Sequence, residues 1–89
     1  MEEFFPGFQM DDHLFEPYGY SRNAIHCRDY YSLHVSPEAS GSYVSFETNA
    51  VSPTKIEPLL KLLAKTFKPK LLEVISLHSG EWRPHYRLT

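Results

Sequence analysis

The sequence has 89 residues, a formal net charge of −2 and a hydrophobic content of 42%, with 15% aromatics, which describes one small globular domain or part of a larger one, and not a disordered tract. Its acidic balance argues against a partner made of nucleic acid, since a domain that tracks phosphates is ordinarily basic. The single cysteine, Cys27, excludes an internal disulfide and a cysteine-rich zinc site, and no apolar run approaches the roughly 18 residues of a membrane span. The acidic start MEEFFPGFQMDD lacks the basic-then-apolar order of a secretory signal, so no membrane partner and a cytoplasmic location are expected.

Residues 1–10 read as a lead-in, with Phe4, Phe5 and Phe8 around the turn signal Pro6-Gly7, three aromatics available to pack on a neighbour. A short strand is expected over 11–16, ending at Pro17, and a second over 20–26 after the Gly19 turn. Arg28-Asp29 marks the next turn. Residues 30–36 alternate, with Tyr31, Leu33 and Val35 on one face and Tyr30, Ser32, His34 and Ser36 on the other, the period of a strand; Pro37 is expected to end it. Residues 39–42 read as loop. Residues 43–48 alternate again, Val44, Phe46 and Thr48 against Tyr43, Ser45 and Glu47. A helix follows, because Ile56, Leu59, Leu60, Leu63 and Phe67 recur at helical spacing. Thr54 and Glu57 stand at capping-box spacing, and Pro69 stops the helix. Leu71 to Leu77 predicts a buried strand, Ser79-Gly80 a hairpin turn, and residues 81–88 a return strand in which Pro84 implies an edge or bulge.

The expected order is β-β-β-β-α-β-β. This is an α+β class, a mostly antiparallel sheet with a helix on one face. The other face carries Tyr30, His34, Tyr43 and Glu47, too aromatic for a plain solvent face, and calls for a second sheet or a ligand. A chain of this size buries only about 60–65% of its unfolded surface, which makes a covering layer reasonable. Individually the polar residues read blandly. Ser21 follows a glycine turn and suits a backbone bond; His34 is a proton donor or acceptor near neutrality or a packed strand histidine. Glu38 faces water or accepts from paired hydroxyls, Glu47 needs a partner if buried, and Phe15 is core or a stacking platform. The five histidines show no metal-ligand spacing, so no metal is expected.

Three segments in order, Phe15-Glu-Pro-Tyr-Gly-Tyr-Ser21, then Leu33-His34-Val35-Ser36-Pro37-Glu38, then Ser42-Tyr43-Val44-Ser45-Phe46-Glu47-Thr48-Asn49, resemble the S-adenosylmethionine decarboxylases of the long, eukaryotic-type class. Phe67-Lys68-Pro69 continues the likeness. The resemblance implies a carboxy-lyase of polyamine biosynthesis acting on S-adenosylmethionine. It implies a covalent pyruvoyl cofactor made when the proenzyme cleaves itself at a Glu-Ser bond. The carbonyl of that group takes the substrate amine and acts as electron sink. It also implies that residues 1–89 are a single domain resembling the C-terminal half of the family, one half of a four-layer αββα sandwich.

Carried over by the same resemblance, Phe15 would stack on the adenine, and Ser21 and His34 would serve self-processing near the pyruvoyl group, the histidine accepting a proton. Glu38 would bind the ribose hydroxyls. Glu47 would be an acid between the sheets, in the charged cluster that takes putrescine in some members. Tyr18 stands where the family has a cysteine, and the linker between Ser21 and His34 is one residue shorter. No Glu-Ser dipeptide occurs in the sequence, and the family's catalytic cysteine belongs to the other half. The chain is thus expected to be a piece that meets a complementary N-terminal half or a paralogous decarboxylase chain, and to be inactive alone. The alternatives are a non-catalytic regulatory partner of an active decarboxylase, or a single-strand RNA binder using sheet aromatics; the absence of a basic groove counts against the second.

Overall fold

A computed structural model describes residues 2–14, 19–38, 41–78 and 80–88. Six strands, β1 (Gln9–Leu14), β2 (Tyr20–His26), β3 (Asp29–Glu38), β4 (Gly41–Thr48), β5 (Leu71–His78) and β6 (Glu81–Leu88), form one sheet in sequential order, with α1 (Ile56–Phe67) between β4 and β5. Every pairing is antiparallel except β4 with β5, which is parallel. That follows from the connections: short turns join antiparallel neighbours, and the one long crossover contains the helix. The α+β expectation and the order β-β-β-β-α-β-β hold.

The helix packs on the sheet through Ile56, Leu59, Leu60 and Leu63, which are buried. They meet the alternation of the strands, since Val44, Phe46, Leu72 and Val74 are fully buried on that side. The helix is too short to cover six strands, and the lead-in adds cover over β3 and β4. Phe5 is 2% exposed and lies 4.4 Å from Tyr31, 5.3 Å from Phe8 and 5.8 Å from Phe46 between ring centroids. Tyr31 and Phe46 stack at 5.2 Å. Tilted and edge-on rings at such separations gain beyond their buried area.

Several boundaries differ from the expectations. β3 runs through Pro37, which pairs with Ser42, to Glu38 opposite Gly41, so Gly41 and Ser42, expected in a loop over 39–42, join β4. A proline has no N–H to donate, but a strand tolerates it near an end where that donor is not needed. β1 begins at Gln9, two residues before the expected start. The β2–β3 turn is Cys27-Arg28, not Arg28-Asp29: Asp29 pairs with His26, and Cys27 takes the positive φ of 56°.

The capping box does not form. A 3₁₀ turn, Pro53–Lys55, precedes α1, the N-cap is Lys55 in a right-handed helical conformation without a side-chain cap, and the Thr54 hydroxyl meets that of Ser52 at 3.1 Å. Pro58 then lies in the first turn of α1, where its missing N–H costs nothing. At the other end Lys68 adopts the left-handed conformation at φ 47° and its N–H reaches the Ala64 carbonyl at 2.9 Å, a close ahead of Pro69.

Candidate active site

The face away from α1 carries the polar residues the sequence singled out, and pairing register gathers them. Ser21 of β2 sits directly opposite His34 of β3, and His34 directly opposite Ser45 of β4. The same row extends to His13 beyond Ser21 and to Glu73 beyond Ser45, five polar residues on five strands. Opposite residues in a ladder hold their Cβ atoms about 4.5–5.5 Å apart, so Ser21 and Ser45 are the immediate neighbours of His34 along the row. Ser21 is buried while His34 is exposed. An accessible imidazole between two hydroxyls can take or give a proton at either.

A second pattern crosses this row. The Tyr30 hydroxyl donates to Glu47 at 2.7 Å, and the Tyr43 hydroxyl donates to Glu73 at 2.8 Å. Each pair spans adjacent strands, and all four side chains are half-buried. Burial first, and then the hydrogen bond to the Glu47 carboxylate, push the Tyr30 phenol up to about 12. Glu47 was expected to need a partner, and Tyr30 is one. Glu73 was missed because it lies in a run of Leu, Val and Ile that reads as wholly buried. Its place opposite Ser45, knowable only from the β4–β5 register, is what brings it to the row.

On the α1 side of the sheet, Arg22 fastens β1 to β2: its Nε and Nη2 donate to the two Asp12 carboxylate oxygens at 2.6 and 2.9 Å. That bond to Arg22 holds the Asp12 carboxyl below the usual range. Glu38 closes β3 opposite Gly41, at the end of the strand that carries His34. Phe15 and Tyr18 lie outside the described residues, as does the side chain of Glu38.

The polar row is a wall and not a pocket. The two large hollows among the described residues lie elsewhere. One of about 430 Å³ is lined by Glu3, Phe4, Val51, Ser52 and Lys55, and one of about 470 Å³ by Met10, Asn23, Ile25 and Tyr30. Neither contains Ser21 or His34, so it is register, not concavity, that marks the row.

The chain matches a known family model over nearly its whole length. Residues 1–87 fit the family model described as adenosylmethionine decarboxylase. The chain belongs to the adenosylmethionine decarboxylase family. Its relatives include an S-adenosylmethionine decarboxylase proenzyme from Drosophila melanogaster, 45% identical over 72% of this chain and 18% of that protein. A proenzyme of the same name from Xenopus laevis is 42% identical over 72% of this chain and 19% of its own. Another from Zea mays is 33% identical over 92% of this chain and 22% of its own. The chain thus spans about one fifth of the length of the adenosylmethionine decarboxylase relatives it matches. Their shared name is that of an enzyme precursor and lends no weight to the regulatory-partner reading. Among the described residues no helix is long and apolar enough to cross a membrane.

Proposed function

We propose that residues 1–89 form a single domain corresponding to the C-terminal half of a pyruvoyl-dependent S-adenosylmethionine decarboxylase, and that its open face is one wall of the active site. The observation that carries this reading is the placement of His34 between Ser21 and Ser45 on an uncovered sheet face, within a chain of that family. In this reading Ser21 and His34 work as a unit. The imidazole holds or moves a proton at the Ser21 Oγ, and the burial of Ser21 keeps bulk water from that oxygen. Phe15 stacks on the adenine, and Glu38, at the end of the His34 strand, accepts from the ribose hydroxyls. Glu47, held by Tyr30, supplies negative charge to the facing layer or to a bound diamine such as putrescine.

The donor set suits a small carbonyl-bearing group, because two hydroxyls and a ring nitrogen share one row. Ser21, His34 and Ser45 would surround a pyruvoyl group there, which supplies, when bound, a covalent carbonyl that draws electrons as carbon dioxide leaves. With no Glu-Ser bond in the chain, that group would come from a complementary N-terminal half, which also supplies the second sheet and turns the wall into a cleft in the cytoplasm.

The test is co-expression with an N-terminal half that bears the Glu-Ser bond. Expected are self-cleavage seen by mass spectrometry and release of labelled carbon dioxide from carboxyl-labelled S-adenosylmethionine. Both should be absent with the 89-residue chain alone, and Ser21→Ala and His34→Ala should each slow cleavage. Unchanged cleavage in both variants, or equal turnover with and without the chain, would overturn the proposal.

A further inference from the structure

On the opposite side of the sheet from the polar row, a small cavity gathers side chains for which the decarboxylase reading has no use. It measures about 60 Å³ and is lined by Ile56, Ser76, His78, Arg83 and His85, enough for about two waters or one small ion. Register accounts for the grouping. Ser76 of β5 lies opposite Arg83 of β6, and the Ser76 hydroxyl, on a residue 1% exposed, meets His85 Nε2 at 3.2 Å. His78 Nε2 is buried and has no hydrogen-bond partner among the described residues. A buried ring nitrogen without a partner carries a desolvation penalty, and a ligand in the cavity would remove it.

The chemistry of the lining selects the ligand. Arg83 is a permanent cation and its fork of N–H groups suits an oxyanion; His78 can present a proton, and where His85 Nε2 donates to Ser76 the serine hydroxyl is left to present its own. Ile56 is the first residue of α1, so the cavity opens at the positive end of the helix. It also lies beyond the carboxyl ends of the parallel pair β4 and β5, the side on which helix-connected parallel strands receive ligands. Among the described residues Glu81 is the carboxylate that pairs here, opposite His78. It meets Arg83 at 3.4 Å, but the side chains are 70% and 61% exposed, a contact that holds Arg83 only weakly. Among the described residues no group of three or more His, Cys, Asp or Glu is arranged to hold a metal ion, and the lining is predominantly of donors.

We infer that this cavity binds a phosphate-type oxyanion, held by Arg83, His78 and the Ser76–His85 pair. The experiment is a titration of the full 89-residue chain with inorganic phosphate against sodium chloride at matched ionic strength, reading the ring signals of His78 and His85 by NMR. Saturable shifts of both rings by phosphate alone are expected. His78→Gln should weaken binding about tenfold or more, the loss of one hydrogen bond to a charged group, while Lys61→Gln on the exposed side of α1 should not. Should His78→Gln disturb the β5 amide signals, Ser76→Ala provides the same comparison. Absence of a saturable shift, or equal phosphate affinity in a folded His78→Gln or Ser76→Ala chain, would overturn the site.

Discussion

Two acid–phenol pairs set the electrostatics of the open face. The Tyr30 phenol is pushed up to about 12 because its surroundings are partly dry and its hydroxyl donates a hydrogen bond to Glu47. A phenol whose folded value lies above its unfolded one, about 10, stabilises the fold fully below pH 10. That contribution is lost as pH rises from 10 through 12, since the unfolded chain gives up the proton first. Glu47→Gln removes the carboxylate but not the burial. The Tyr30 titration in that variant should therefore move part of the way back toward 10, as read by phenolate absorbance; an unmoved titration would mean that burial alone raises it. Glu47 was visible in the sequence through alternation. Glu73, its counterpart with Tyr43, was hidden, because an acid within a Leu-Val-Ile run carries no mark of which face it takes until the neighbouring strand is known.

Helix α1 illustrates how far local rules reach. The spacing of Ile56, Leu59, Leu60 and Leu63 foretells its existence and its buried face, and Pro69 foretells its end. Its start escapes the local rule. Thr54 and Glu57 have the spacing of a capping box, yet Pro53–Lys55 winds a 3₁₀ turn in which Lys55 N–H reaches the Ser52 carbonyl at 2.9 Å. Thr54→Ala should accordingly change unfolding free energy by less than about 0.5 kcal/mol, where a working N-cap would cost about 1 kcal/mol. Leu63→Ala, at a fully buried site, should cost about 2–5 kcal/mol. Urea unfolding measures both; a Thr54→Ala loss near 1 kcal/mol would restore the capping box.

At the scale of the whole molecule the two faces of the sheet differ in cover. α1 and the Phe5 cluster cover the middle of the first, while Met10 and Leu14 of the edge strand β1 stay 51% and 77% exposed beside it. The second leaves Ile25, opposite Tyr30, and Trp82, opposite Leu77, at 56% and 52% exposure, apolar surface of the kind that marks an interaction site. Under the proposed assembly Trp82 fluorescence should shift to the blue when the complementary N-terminal half is added, and Trp82→Ala should weaken the complex; an unshifted spectrum with complex present would place the contact elsewhere. The sequence by itself determined the order of elements, the two faces of β3 and β4, and the three segments that carry the family resemblance. Each of these depends on alternation or on residue order within a few positions. Only the tertiary structure decided that His13, Ser21, His34, Ser45 and Glu73 share one row. It alone decided, too, that Phe5 roofs Tyr31 and Phe46 and that Ser76, His78, Arg83 and His85 close around one cavity. Those groupings depend on pairing register and on the docking of distant segments, and a shift of one residue in register would have turned the same side chains to the opposite face.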